Sequence, residues 1–163
     1  AWERPLEINP WAGATVAGIL VLAIFKGLKS PAEESAVAAA NLGTPALADH
    51  ISAGTGILIE AVLTFLLVFA VFGTAVDPRA PKIGGFGIGL TIAADILVGG
   101  PLTGAAMNPA RTFGPGIVAY LSGNHPQFWP QHYIYWVGPL LGAALAALAY
   151  DSLIMEKKSP HAR

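Results

Sequence analysis

The sequence predicts an all-α membrane protein in which four transmembrane helices accompany one re-entrant segment that enters the bilayer and turns back. Three observations carry this. Of 163 residues, 54% are hydrophobic and 12% charged, against about 25% charged in soluble domains, and the mean hydropathy is +0.58. The charges are sparse and grouped: 39 residues separate Arg111 from Asp151, only Glu60 is charged between Ser52 and Val76, and only Asp95 between Ile83 and Ala110. One apolar stretch, 99–121, carries Gly99-Gly100-Pro101, Asn108-Pro109 and Gly114-Pro115-Gly116, which oppose a through-going helix.

The same figures exclude several functions. Nine basic against ten acidic residues give a net charge of −1. That balance excludes a basic nucleic-acid binder and an acidic solvating tail, and the apolar content excludes a disordered chain. With no cysteine there is neither a disulfide frame nor a thiolate metal site. His50, His125, His132 and His161 lack ligand spacing, so no metal is expected. No nucleophile–base pair stands out, and neither enzyme activity nor a cofactor is expected.

Taken in order along a single membrane domain, 1–163, the predicted spans are 10–27, 52–76, 83–98 and 132–150, each close to the length of about 20 apolar residues that crossing requires. The first is short and ends on Lys26, which can snorkel. The 28–51 loop is Ala-rich and mixed in charge, and no chemistry follows from it. Arg79 and Lys82 occupy the loop between the second and third spans, and Lys157, Lys158 and Arg163 the tail, whereas 122–131 has no Lys or Arg. This bias places that loop and the C-terminus inside. Four spans then put the N-terminus inside too and leave 28–51 and 99–131 outside, in a multi-pass protein of the plasma (inner) membrane. The chain opens Ala-Trp-Glu-Arg-Pro, with no initiator Met and no basic leader, and is expected to be the back part of a longer chain. Trp129, Tyr133, Tyr135 and Trp136 cluster as interfacial aromatics do. Small residues at Gly85, Gly87 and Gly89, and at Gly138 and Gly142, suit close helix packing.

Segment 99–121 is the functional candidate, because non-helical backbone at membrane depth survives only inside protein or along a water-filled cavity. Asn108 is a favoured N-cap and Pro109 suits the first helical position, so a half-helix starts there and runs to about Tyr120. Its start carries about half a positive elementary charge, and Arg111 on the first turn adds a full one. Before it, Gly104-Ala105-Ala106-Met107 is small or flexible. If extended, its carbonyls form a ladder of acceptors, and the Asn108 amide adds donors. One polar wall facing apolar spans suits a small neutral molecule, while the dipole and Arg111 repel cations and protons.

At these residues the chain resembles the C-terminal half of a major intrinsic protein, the aquaporin family. Asn108-Pro109-Ala110-Arg111-Thr112-Phe113-Gly114-Pro115 is similar to the family's second NPA box. Leu58-Ile59-Glu60-Ala61-Val62-Leu63-Thr64-Phe65 resembles its fourth helix, Ala94-Asp95-Ile96-Leu97-Val98-Gly99-Gly100 the end of its fifth, most of all in plant tonoplast-type members, and Tyr135-Trp136-Val137-Gly138-Pro139-Leu140 its sixth. The likeness covers about residues 11–155.

The resemblance implies an aquaporin-like half whose first repeat is largely missing, since Asn9-Pro10-Trp11 is not an NPA box and no re-entrant segment follows it. It implies a selectivity filter at Ile96, Ala105 and Arg111, with Glu60 accepting hydrogen bonds from the re-entrant backbone. Ile96 stands where water-selective members usually have His, so ammonia, hydrogen peroxide or urea could pass beside water. Thr112 and Gly116 stand where glycerol-conducting members carry Asp and a basic residue, which favours the aquaporin branch. Ala105 occupies the place of the cysteine in mercury-sensitive members, so insensitivity to mercurials is expected. A homotetramer is implied for the full-length protein. The leading expectation is a passive channel for water and other small neutral solutes, present here as an incomplete subunit. Two alternatives stay open: a non-conducting membrane fragment that needs a first half, and a secondary transporter with discontinuous helices. For Asp95 three readings stay open: neutral, bonded to a neighbouring helix, or pore-side.

Overall fold

The computed structural model describes residues 9–27, 41–81, 83, 85–123 and 128–155. Lys82 and the tail 156–163, on which the sidedness argument draws, lie outside the described residues, as do His125 and His161. Among the described residues every regular element is helical.

Helix α1, Pro10–Lys26, begins where Asn9 accepts a hydrogen bond from the Trp11 amide at 3.0 Å and Pro10 takes the first position. Helix α2, Ala53–Val71, is capped by the Ser52 hydroxyl, which accepts from the Thr55 amide at 3.2 Å. It runs on as a π-helical turn, Phe72–Val76, closed by Asp77 N donating to Phe72 O at 2.9 Å. Helix α3 is Phe86–Thr103, α4 Pro109–Leu121, α5 Phe128–His132 and α6 Ile134–Leu153. Among the described residues, three stretches are long and apolar enough to cross a bilayer: Ala53–Val76, Phe86–Thr103 and Phe128–Leu153. Helix α1 is shorter: its 17 residues rise to about 25 Å, against a hydrocarbon core of about 30 Å.

One expectation needs correction. The third span was expected to end at 98, broken by Gly99-Gly100-Pro101. Instead α3 continues through Pro101 to Thr103, and the non-helical stretch is only 104–108. Pro101 sits in the last turn, where it forgoes the single intrahelical bond that an N–H there would make to the Leu97 carbonyl. The helix stops at Gly104, whose φ of +82° is left-handed and therefore suited to glycine. The half-helix, expected from Asn108 to about Tyr120, runs unbroken through Gly114-Pro115-Gly116 as α4. Its glycines are points of contact: a side chain on Gly114 would meet the Ala14 backbone, and one on Gly116 the Phe128 ring.

Close helix contacts organise the rest, as expected where lipid removes the hydrophobic drive between helices and packing must hold them. A Cβ on Gly138 would lie 2.7 Å from Glu60 Cβ, and one on Gly142 would strike the Ala61 carbonyl, so α6 lies directly on α2. A Cβ on Gly18 would come within 2.8 Å of Pro115 Cα, which sets α1 against α4. Trp11 stacks on Trp136 with ring centroids 5.3 Å apart and meets Phe113 edge-on at 5.4 Å. Leu20, Leu58, Leu97 and Leu148 are exposed, as suits faces turned to acyl chains.

The two ends are tied differently. At one, Ala48 N donates to Leu102 O at 3.0 Å and Leu47 N to Gln131 Oε1 at 3.1 Å, so the 41–50 loop, the end of α3 and α5 share one side. At the other, the Asp77 carboxylate accepts from Arg79 N, Nε and Nη2 at 2.9, 3.1 and 2.8 Å and from the Tyr150 hydroxyl at 3.2 Å, while Arg79 Nη2 also donates to Ile154 O at 2.6 Å. Side-chain and then backbone hydrogen bonds from Arg79 hold the Asp77 carboxyl well below the usual carboxylate range, against an opposing desolvation.

Candidate functional site

The site is built on one buried carboxylate. Glu60 lies midway along α2 and is 0% exposed. Its Oε1 accepts from the Thr103 hydroxyl at 2.6 Å and from Ala106 N at 3.0 Å, and its Oε2 accepts from Met107 N at 2.7 Å. Thr103 extends the splint: its Oγ1 accepts from Ala105 N at 3.2 Å, and its carbonyl accepts from the Tyr135 hydroxyl at 2.8 Å. A buried charge is tolerated when it is fully hydrogen-bonded, and bonds to a carboxylate are the stronger kind.

This arrangement sorts the backbone polar groups of the re-entrant stretch. The amides of Ala105, Ala106 and Met107 all turn to the Glu60–Thr103 pair. Among the described residues, no hydrogen bond ends on the carbonyls of Gly104, Ala105, Ala106 or Met107. The chain achieves this with left-handed backbone at Gly104, Ala105 and Met107, at φ +82°, +44° and +53°. Two of these are not glycine, a strain that persists only where surrounding bonds over-determine it. The packing of Leu63, Ala105 and Met107 with Ile59, Leu67 and Ile92 completes that wall.

Asn108 then caps α4. Its Oδ1 accepts from Ala110 N at 2.9 Å and from Arg111 N at 3.3 Å, with Pro109 at the first helical position. Its Nδ2 donates to nothing among the described residues. Arg111 projects from the first turn and Nη1 donates to Gly43 O at 2.9 Å. Asn108, Ala110 and Arg111 line a cavity of about 400 Å³ whose other walls are α1, Pro115, Leu42 and Gly43. The structure therefore brings Asn108, Ala110 and Arg111 together on one cavity, and gathers Ala105, Ala106 and Met107 on the splint. Neither Ile96 nor Ala105 lines that cavity: Ile96 stands 49% exposed on α3, and Ala105 is buried.

Asp95 is buried on α3, and its Oδ2 has no hydrogen-bond partner among the described residues. It lines a separate cavity of about 530 Å³ with Thr91, Phe65 and Phe69. Among the described residues, no group of three or more His, Cys, Asp or Glu could hold a metal.

Three participants escape sequence reasoning. Thr103 carries no local signal, Tyr135 looks like an interfacial aromatic, and Gly43 belongs to the loop from which no chemistry was drawn. The Asn-Pro pair and the lone mid-span Glu60 were signals; nothing local marks a backbone carbonyl that ties down an arginine 68 positions away.

The sequence model of the major intrinsic protein family matches residues 8–150. The chain belongs to the major intrinsic protein family. Among relatives, it is 50% identical to aquaporin TIP4-4 of Zea mays over 124 residues, which covers 73% of this chain and 46% of that one. It is 46% identical to the probable aquaporin TIP3-2 of Arabidopsis thaliana over 121 residues, 69% of this chain and 43% of that one. The chain thus spans less than half the length of these major intrinsic proteins. Among solved structures, the aquaglyceroporin from Plasmodium falciparum superposes with a TM-score of 0.72 at 21% identity, covering 88% of this chain and 61% of that one. At that identity the likeness concerns the fold: an aquaporin-like, all-helical half. Family membership and three helices long enough to cross a bilayer make the chain an integral membrane protein.

Proposed function

We propose that this chain is the C-terminal half of a passive channel for water and other small neutral solutes, and that it conducts only when joined to a first half. One observation carries the reading: the amides of 105–107 are tied to Glu60 and Thr103, while the carbonyls of 104–107 accept no hydrogen bond among the described residues. A strip of unpaired acceptors beside the Asn108 amide and the Arg111 guanidinium offers a neutral molecule both halves of a hydrogen bond. The positive start of α4 and Arg111 raise the energy of a cation there. The carbonyls, splinted along one strip, form no cage to replace an ion's hydration shell.

In this reading Arg111, Ala105 and Ile96 form the constriction, Asn108 with Pro109 and Ala110 the polar midpoint, Gly104 to Met107 the acceptor strip, and Glu60 its support. The permeants are water and, given Ile96, small solutes such as ammonia, hydrogen peroxide or urea. The assembled protein is a homotetramer in the plasma membrane, with both termini and the 77–81 loop cytoplasmic.

Proteoliposome swelling tests this. The chain alone should give no flux above empty vesicles. The chain joined to a matching first half should give fast water flux that is neither saturable nor coupled to an ion gradient. Fast flux from the chain alone overturns the half-channel reading. Absent flux from the joined form overturns the channel reading, and saturable, coupled uptake would favour a transporter.

A further inference from the structure

His132, at the end of α5, is held by one hydrogen bond: the Trp136 indole Nε1 donates to its Nε2 at 3.0 Å. An indole N–H can only donate, so Nε2 is a bare acceptor and the proton of the neutral ring sits on Nδ1. That nitrogen is buried and has no partner among the described residues. Four aromatic rings close around the imidazole, with centroids at 4.8 Å for Phe128, 5.8 Å for Phe113, 6.1 Å for Trp129 and 6.3 Å for Trp136. A phenyl ring would pack there with no unmet donor, so packing alone does not explain a histidine. The bond has a longer reach. Trp136 stacks on Trp11 of α1, and Phe113, two residues beyond Arg111 on α4, meets both Trp11 and His132. The ionisable groups on the surrounding elements are Arg111 and Tyr120 on α4, Tyr133 and Tyr135 beside His132, Tyr150 and Asp151 at the far end of α6, and Asp49 and His50 in the loop that Gln131 holds. Among the described residues none of these shares a hydrogen bond or ion pair with His132. Helix α1 carries only Lys26, at its other end.

We infer that His132 is a proton-sensitive positioning residue: neutral, it clasps α5 and α6 to α4 and, through Trp136 and Trp11, to α1; protonated, it lets Trp136 go. The effect on flux rests on the channel reading, though the clasp itself does not. A proton on Nε2 sets two N–H donors head to head, and the bond to Trp136 is lost. It also places a positive charge in an apolar cluster. The Trp136 ring does not compensate, because it presents its N–H edge, the positive rim of the ring, rather than its face. The cavity beside Arg111 is walled by α1 and α4, and Trp11 with Phe113 fixes how these two helices meet at this end. Once Trp136 no longer backs Trp11, α1 settles onto α4, the cavity narrows, and flux falls in acid.

Trp11, Trp129 and Trp136 belong to this cluster and the only other tryptophan is Trp2, so a Trp2→Phe background makes intrinsic fluorescence its reporter. In the detergent-solubilised chain, emission should fall about two-fold between about pH 8 and 5, the range in which an imidazole changes charge, along a one-proton curve. His132→Gln, which can accept from Trp136 but cannot take a charge, should be flat over that range. A flat response in the His132 chain, or an unchanged response in His132→Gln, overturns the inference. A second measurement leaves His132 in place. With His50, His125 and His161 replaced by Gln, the nitrogen NMR shifts of the remaining imidazole should show the Nδ1–H tautomer at about pH 8. The Nε2–H tautomer, or a charged ring at that pH, overturns the clasp. In the chain joined to a first half, water permeability should fall about two-fold over the same range and stay constant in His132→Gln. Constant permeability beside a fluorescence response overturns the positioning claim. If the joined wild type conducts at neither pH, it is the channel reading that has failed, and fluorescence and tautomer alone decide the clasp.

Discussion

The Glu60 carboxylate and the Thr103 hydroxyl lie 2.6 Å apart on different helices, 43 residues apart in sequence. That one contact joins α2 to the end of α3 at the point where the chain leaves helical conformation, and three backbone amides hang on the pair. Helix α6 reaches the same point through Tyr135, whose hydroxyl donates to the Thr103 carbonyl.

Removing the carboxylate should therefore damage folding before it alters selectivity. Glu60→Leu leaves two buried amides without an acceptor, each worth about 1–3 kcal/mol, leaves the Thr103 hydroxyl only the Gly99 carbonyl at 3.5 Å, and should sharply lower folded yield in detergent, read by size-exclusion chromatography. Glu60→Gln keeps one acceptor and should fall between. A Glu60→Leu chain that elutes and melts like wild type would mean the splint does not support the stretch.

Arg111 is expected to behave in the opposite way. Among the described residues its side chain makes one hydrogen bond, to a loop carbonyl, so Arg111→Val should change thermal stability by no more than about 1 kcal/mol. In the joined channel it should admit cations or larger solutes. Large destabilisation with unchanged selectivity would assign Arg111 to the fold instead.

Asp95 presents to an apolar cavity a buried oxygen that has no partner among the described residues. Burying an unpaired ionised group is costly, and a neutral isostere removes the charge. Asp95→Asn should raise stability, by about 1 kcal/mol or more, in thermal melts of the detergent-solubilised chain. A melting temperature lower than wild type would show that the carboxylate has a partner it needs.

The Asp77 clamp gives a pH dependence whose sign is determined. Its carboxyl is held below its ordinary value of 3.8 by Arg79, so the clamp's stabilisation is fully present above that value and is lost as pH falls through the lower, folded one. Stability arising from this clamp should be flat from pH 5 to 8 and decline only in stronger acid, and Asp77→Asn should abolish that acid-side slope. A wild-type loss centred near neutral pH would point to another group.

Close packing of α2 on α6 makes Gly142 intolerant. A Cβ there meets the Ala61 carbonyl, and Gly142→Leu should force the helices apart, lowering folded yield at least as far as Glu60→Leu does. Normal yield would mean the two helices can separate without loss.

Much of this architecture follows from local features of the chain. Uncharged runs of spanning length announce helices, because lipid leaves the backbone no other partner than itself. Asn108-Pro109 announces a helix start, since the cap chemistry lies within three residues. Family likeness pointed to Glu60 as a backbone acceptor, and a charge at membrane depth by itself implies nearby donors. What the sequence misreads is equally local. Gly99-Gly100-Pro101 looks like a break, yet it lies at the end of α3, and Gly114 and Gly116 fit against Ala14 and Phe128. Whether a glycine is a hinge or a contact depends on what comes to lie against it. The same is true of Thr103, Tyr135 and the Gly43 carbonyl. Their roles come from partners 32 to 68 residues away, and hydrogen bonds of that range leave no periodicity or spacing for a linear reading to detect. Helix existence and the position of the half-helix were thus legible in advance; the sorting of amides from carbonyls and the aim of Arg111 emerge only when distant backbone is packed together.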